Sequence, residues 1–299
     1  MGPIVSPPSE PLEEHRALLF AIAYRMLGTV NDAEDLVQET YLRWRRALAT
    51  GEVIANPKGW LTTTLTHLCI DQLRSARVRR EAYIGPWLPE PIVTDPAADP
   101  VEGVALAESL SLAFLTVLER LNPVERAIFL LHDVFGYEFV EIAPIVGREV
   151  ANCRQIARRA RAAIQRARPR FPLQPGERER LTREFMRACT VGDLPALVAT
   201  LAEDITVWSD GGGRVQAARK PVRGADKAAR FLLHIVADGA THGATFTPTT
   251  VNGQPGVLIS APEGPYGVVA FDIAAGRIRE IDIVINPEKL RHLAPATQY

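Results

Sequence analysis

With 299 residues, 47% of them hydrophobic and 23% charged, the chain is long enough for two or three globular domains and too apolar for wholesale disorder. No window nears the roughly 18 apolar residues that cross a bilayer, and no basic stretch leads into an apolar core at the N-terminus, so membrane-spanning and secreted classes are set aside and a cytoplasmic protein is expected. The formal net charge of −1 argues against a uniformly basic nucleic-acid binder, but it hides segregation: Arg148 to Arg170 holds eight arginines against Glu149, and Glu81 to Gly147 holds eleven acids against Arg120 and Arg126.

The proline-rich first ten residues read as a tail. From Glu13 to Gly28 the apolar set Leu19, Ile22, Ala23 and Met26 recurs at helical spacing, and Gly28 stops it. Asn31 or Asp32 is expected to cap a second helix carrying Ala33, Leu36, Val37, Thr40, Tyr41, Trp44, Ala47 and Leu48 on one face. A third helix, entered at Asn56-Pro57 and running to about Arg80, turns Leu61, Leu65, Leu68 and Leu73 inward. Together these make one helical domain over residues 12–80.

Residues 81–103 lose the periodicity and gain prolines at 86, 89, 91, 96 and 100, which marks a linker. Its Tyr83, Trp87 and Leu88 are large apolar groups that call for a docking surface. Helical spacing returns at Leu106, Leu110, Phe114, Val117 and Leu121, and Asn122-Pro123-Val124-Glu125 has the order of a helix start. Gly136 and Gly147 bracket a short helix with Phe139, Ile142 and Val146, before a longer arginine-rich helix. This is the layout of a helix-turn-helix over residues 104–171. From 176 to 299, one or two helices precede β-rich stretches at Ile205–Trp208, Ala244–Val251, Val257–Ile259, Val268–Ile273 and Arg277–Ile285, with a hairpin turn at Gly276. Helices followed by a run of antiparallel strands predict an α+β domain with a curved sheet. Cys69, Cys153 and Cys189 form no C-x-x-C or Cys/His cluster, so buried free thiols are expected, with no metal and no cofactor.

In the arginine-rich helix, Cys153, Ile156 or Ala157, and Ala160 are predicted to face the core. Arg148, Asn152, Arg154, Gln155, Arg158 and Arg159 then face outward, and arginine and amide side chains are the types that read guanine and adenine in the major groove; a merely solvated basic helix is the bland alternative. The third helix puts Trp60 near its start and Asp71, Arg74 and Arg77 near its end, a combination suited to holding unstacked bases and tracking phosphates, or to a core tryptophan with surface charges. In the second helix Asp32, Glu34, Asp35 and Glu39 flank the apolar stripe, which by itself is a solvated face.

Asp32-Ala-Glu-Asp-Leu-Val-Gln-Glu-Thr-Tyr41, Trp60-Leu-Thr-Thr-Thr-Leu-Thr-His-Leu-Cys-Ile-Asp-Gln-Leu-Arg-Ser-Ala-Arg77 and Leu121-Asn-Pro-Val-Glu-Arg-Ala-Ile-Phe-Leu-Leu-His-Asp-Val-Phe-Gly136 together resemble the extracytoplasmic-function (ECF) sigma factors, the first two their region 2 and the third their region 4. The resemblance implies core RNA polymerase (β′ clamp and β flap) and promoter DNA as partners. By it, Asp32, Asp35 and Glu39 would dock on polymerase, Asn56, Trp60, Asp71, Arg74 and Arg77 would recognise and melt the −10 element, and the Arg148–Arg159 face would read the −35 element. Pro144 inside the short helix departs from that pattern. Tyr83-Ile-Gly-Pro-Trp-Leu-Pro-Glu-Pro91, Asp210-Gly-Gly-Gly-Arg214 and Asn286-Pro-Glu-Lys-Leu290 resemble the subgroup with a fused SnoaL-like, NTF2-like cone. This implies cis regulation by that domain, with Trp87, Asp210 and Asn286 at the contact and no separate anti-sigma factor.

Such cones also occur in isomerases and cyclases, so an enzyme or a small-ligand sensor is a second reading, with Asp210, His234 and Asp272 as candidate bases beside Trp208. Asp210 before three glycines reads more naturally as a turn, and His234 as a core histidine. The main expectation is therefore a sigma factor without a catalytic role. A helix-turn-helix repressor that binds duplex DNA without polymerase is a third reading.

Overall fold

The computed structural model describes the backbone of residues 10–81, 83–94, 109–167 and 176–293, with side chains over 13–75, 83–94, 109–166 and 176–293. They fall into two compact units, Met1–Arg79 with Leu118–Ile164, and Arg80–Val117 with Gln165–Tyr299.

In the first unit, α1 (Glu10–Leu27), α2 (Val30–Ala49) and α3 (Pro57–Glu81) are the three expected helices. Gly28, at φ 74°, ends α1 in a conformation that only glycine adopts cheaply. The start of α2 corrects the sequence reading. Thr29, extended at φ −129°, is the N-cap rather than Asn31 or Asp32, and its hydroxyl donates to the Asp32 carboxylate in the first turn at 2.7 Å, so the helix begins two or three residues earlier than the sequence reading puts it. Leu19, Ile22, Trp44, Leu61, Leu65 and Leu73 are all buried, as their spacing predicts.

The same unit holds α5 (Pro123–Phe129), continued by a wide turn at Leu130–Val134, then α6 (Phe139–Val146) and α7 (Val150–Ala167). The predicted capping box is complete: the Asn122 side chain accepts from Val124 and Glu125 N–H at 3.1 and 2.9 Å, and Glu125 accepts from Asn122 N–H at 3.1 Å. Pro144 is accommodated on the exposed side of an eight-residue α6 that ends at Gly147. Three polar ties cross between the two helical groups. Arg126, 3% exposed, donates to the Met26 carbonyl at 2.5 Å; Thr62 and Tyr137 share a hydroxyl bond at 3.0 Å; the His67 imidazole donates to the Ile145 carbonyl at 2.5 Å.

The second unit contains α4 (Leu112–Leu118) for all but its last residue, then α8 (Glu177–Val191), α9 (Leu194–Thr200), α10 (Ala225–Thr241) and one seven-stranded sheet. Of the helical spacing that sequence placed from Leu106, the described residues show the helix at Leu112–Leu118, and Leu106 lies outside them. The strands are β1 (Val93–Thr94), β2 (Leu201–Asp210), β3 (Val222–Arg223), β4 (Thr245–Val251), β5 (Gln254–Ala261), β6 (Gly264–Ala274) and β7 (Arg277–Val284), ordered β1-β4-β5-β6-β7-β2-β3. The α+β expectation holds, with one correction. β2 and β7 pair in parallel, because the chain leaves β2 through α10 and a β4–β7 meander that brings its last strand back alongside the first long one.

Strand alternation separates two cores. Ile205, Val207, Phe271, Ile273, Ile281 and Ile283 pack against Leu181, Phe185, Leu197 and Leu232 of α8–α10. On the opposite face, Val268, Ala270 and Val284 pack with Leu88, Leu112 and Leu290. The linker is therefore built into this unit, and its β1 is an edge strand on β4.

Candidate functional site

α7 separates its residues as predicted. Cys153, Ile156, Ala157 and Ala160 are buried, and Asn152, Arg154, Gln155, Arg158 and Arg159 are all exposed, as is Arg148, which lies in the turn before α7 rather than on the helix. Arg161 is tied to Asp133 at 2.5 Å, fixing α7 against the turn before α6. The outward face thus presents arginine and amide groups on a rod held by an apolar seam, with the donor types needed at base edges and phosphates.

The −10 candidates divide along α3. Asn56 caps it, accepting from Gly59 N–H at 3.0 Å, and with Glu52, Trp60, Thr63 and Thr64 it lines an open cavity of about 350 Å³. Trp60 is not a free platform: its ring meets Trp44 edge-on with centroids 5.5 Å apart, and its N–H donates to Glu52 at 3.3 Å. Asp71 and Arg74 form an exposed pair at 3.1 Å, about 16 Å further along the helix axis at 1.5 Å per residue. The Arg77 side chain lies outside the described residues.

The acids on α2 also differ from one another. Asp32 accepts from Thr29 and from Gln72 of α3 at 3.2 Å, so it holds the bundle together. Glu39 is bound by Arg43 at 2.8 Å, and that hydrogen bond holds its carboxyl below the usual carboxylate range. Asp35 is exposed.

The structure brings Trp87, Asp210 and Asn286 into one cluster. Asp210, at the end of β2 and 1% exposed, accepts from Tyr83 OH at 2.6 Å and Gly212 N–H at 3.0 Å on Oδ1, and from Leu88 N–H at 2.9 Å and Lys289 Nζ at 2.7 Å on Oδ2. Lys289, 6% exposed, also donates to the Leu88 carbonyl, and its ammonium lies 4.3 Å from the Trp87 ring centre and 5.1 Å from that of Tyr83. Asn286 donates to Tyr83 OH at 2.9 Å and caps the next turn by accepting from Glu288 N–H at 3.0 Å. Burial, and then the bond to Asp210, pushes the Tyr83 phenol above its ordinary range. The turn read into Asp210-Gly-Gly-Gly and this ion pair are compatible, since Gly212 stands where a Cβ would collide with the Asn286 amide.

Sequence reasoning missed a second anchor. Asn252 bonds both ways with Ile92, its N–H donating to the Ile92 carbonyl and its Oδ1 accepting Ile92 N–H, both at 2.8 Å, while Nδ2 donates to the Leu110 carbonyl at 2.9 Å. Asn252-Gly253, with φ values of 51° and 71°, is the tight two-residue turn of the β4–β5 hairpin, a signal present in the sequence. His292 further donates to the Pro91 carbonyl at 2.8 Å.

The three candidate bases do not assemble. Asp210 is committed to the linker. His234 is exposed on α10, not the core histidine expected, because Ala228, Ala229 and Leu232 already supply that helix's buried face. Asp272 alternates with Phe271 and Ile273 and so faces away from the helix-covered core.

Two family models match the chain, Sigma-70 region 2 over residues 12–79 and Sigma-70, region 4 over residues 111–164. The chain is 40% identical over 293 residues to the ECF RNA polymerase sigma factor SigJ of Mycobacterium tuberculosis, covering 94% of this chain and 91% of that one. It is 35% identical over 287 residues to the probable ECF RNA polymerase sigma factor SigI of the same species, covering 95% of each. The crystal structure of Mycobacterium tuberculosis SigJ matches with a TM-score of 0.76 at 35% identity, over 95% of this chain and 98% of that one. Two sigma regions in order, followed by an α+β unit shared along nearly the whole length of such a relative, show that this chain belongs to the ECF RNA polymerase sigma factors.

Proposed function

We propose that this chain is a promoter-recognition subunit of RNA polymerase whose C-terminal α+β unit regulates it in cis by holding the linker between the two sigma regions. The observation that carries the reading is the outward set Asn152, Arg154, Gln155, Arg158 and Arg159 on a helix with a buried apolar seam, with the exposed Arg148 just before its start, in a chain that also carries region 2. α7 reads the −35 element; Asn56 and Trp60, around their cavity, and Asp71, Arg74 and Arg77 engage the −10 element; Asp35 and Glu39 dock on polymerase, with Asp32 shaping that surface. Action on RNA polymerase places the chain in the cytoplasm, and regulation in cis replaces a separate anti-sigma factor.

The regulatory part is supported by a linker bonded into the sheet through Asp210, Lys289 and Asn252. Run-off transcription with bacterial core polymerase on the promoter upstream of this protein's own gene tests both parts, comparing the parent with Trp87→Ala and Lys289→Met. Transcripts that depend on the chain, at a level changed in both variants, are the expected result. Equal transcription from all three removes the regulatory role. No transcript, with tight duplex binding by the chain alone, favours a repressor.

A further inference from the structure

The second unit carries a charged surface that neither promoter reading nor the linker contact uses. Between Arg214 and Arg230 the sequence places six cations, Arg214, Arg219, Lys220, Arg223, Lys227 and Arg230, against a single acid, Asp226. All seven side chains are exposed. Arg214 pairs with Glu288 at 2.8 Å and Arg230 with Asp226 at 2.9 Å, while Arg219, Lys220, Arg223 and Lys227 have no ion pair among the described residues. In a chain of net charge −1, four uncompensated cations within nine residues are a local positive field and not a reflection of composition.

The fold concentrates them. Arg219 and Lys220 end the loop that follows β2, Arg223 lies on β3, the outermost strand of the sheet on that side, and α10 starts two residues later. On α10, Lys227, Arg230 and His234 recur at i, i+3 and i+7 opposite the buried Ala228, Ala229 and Leu232, a basic stripe about 10 Å long at 1.5 Å per residue. Gly224 caps α10 without a side chain, so the positive end of that helix adds to the same field. The exposure of His234, unexplained by the core or a pocket, fits this stripe.

We propose that this surface is a sequence-independent contact of the C-terminal unit with the phosphate backbone of promoter DNA. Phosphate oxygens are what closely spaced arginines and lysines pair with best, with no need for base readout. An acidic protein partner is disfavoured because protein interfaces are anchored by buried aromatic and aliphatic groups. No residue from 214 to 230 is an exposed large apolar side chain, and the exposed Ile84, beside Gly213 at the edge of this surface, is a single apolar group where protein interfaces are anchored by several. The inference rests on the chain engaging promoter DNA and adds a contact outside the two sigma regions.

The test is the salt dependence of duplex binding by the full chain assembled with core polymerase, using a labelled promoter fragment and a second fragment with scrambled −10 and −35 elements. The parent is compared with Arg219→Gln/Lys220→Gln/Arg223→Gln/Lys227→Gln, all surface positions. Each lost phosphate contact lowers the slope of log K against log salt by about 0.9, so the variant should lose roughly 3 to 4 in slope and at least tenfold in affinity near 0.1 M salt, equally on both fragments. Arg219→Lys/Arg223→Lys keeps the charge and should keep the slope. An unchanged slope in the fourfold variant overturns the proposal, as does a loss confined to the intact promoter. Weakened assembly with core polymerase at an unchanged DNA slope overturns it in favour of a protein-docking surface. A parent holoenzyme that binds neither fragment would sink the sigma reading as well.

Discussion

Replacing Asp210 with alanine isolates what holds the linker to the sheet. Its carboxylate is 0% exposed and accepts the Lys289 ammonium at 2.7 Å, together with Tyr83 OH, Leu88 N–H and Gly212 N–H. In Asp210→Ala the ammonium loses this carboxylate while the Leu88 carbonyl and the ring faces of Trp87 and Tyr83 stay beside it. Removing one member of a buried ion pair typically costs about 3–5 kcal/mol. That loss falls on the opening of the linker, so the Leu88 amide, which donates to the deleted oxygen, should exchange roughly 10²- to 4 × 10³-fold faster at about 1.4 kcal/mol per tenfold. Hydrogen exchange of the peptide spanning residues 83–94 in the full chain reads this directly. Asp210→Leu/Lys289→Met, which replaces both charges with apolar groups, should recover much of the protection, because a buried pair exchanged as a unit for apolar packing is often near neutral. Exchange unchanged within about threefold in Asp210→Ala, or a double variant as damaged as the sum of the singles, would refute the ion pair as the determinant.

Three further outcomes follow from the same geometry. Tyr83 has its phenol pKa raised, first by burial and then by Asp210, so the unfolded chain gives up this proton first; the linker contact should be fully stable below about pH 10 and weaken above it, and the stability gap between parent and Tyr83→Phe, followed by urea unfolding, should narrow between pH 9 and 11. Burial lowers the Arg126 pKa to about 10, a desolvation cost present at every pH below that value; Arg126→Met nonetheless orphans the Met26 carbonyl and releases Glu119, so a net loss of about 1–3 kcal/mol is expected by thermal unfolding. Arg154→Ala on the exposed face of α7 should weaken holoenzyme binding by about 1–3 kcal/mol and relax discrimination at one −35 position, measured by competition with base-substituted duplexes.

The elements legible in the sequence are those whose determinants are local. The Asn122–Glu125 capping box, the glycine stops at Gly28 and Gly147, and the buried seam of α7 each need only a few neighbouring residues, and each appears where spacing puts it. Where a second local signal competed, the reading slipped by two or three residues, as at Thr29, whose hydroxyl takes Asp32 as an acceptor instead of leaving it to cap the helix. The parallel pairing of β2 and β7 is a property of the whole meander and has no local mark. His234 was misplaced because an apolar helix with a lone histidine suggests a core position, whereas small residues at Ala228 and Ala229 form the packed face.

The linker contact was half legible for a reason that bears on its use. Tyr83, Trp87 and Leu88 announce that something must cover them, and Asp210 before three glycines announces a turn, but the counter-ion Lys289 and the anchor Asn252 lie 79 and 160 residues from their partners Asp210 and Ile92, and no periodicity links such positions. What fastens the segment is mostly polar. Among the described linker residues Leu88 joins the fully buried apolar cluster, with Val93 packed against it, while Asp210, Lys289, Asn252 and Asn286 supply directional bonds. A buried ion pair gives little net stability over apolar packing and gives much in register. A linker held this way occupies one position when docked, which is the precision that the proposed regulation in cis requires.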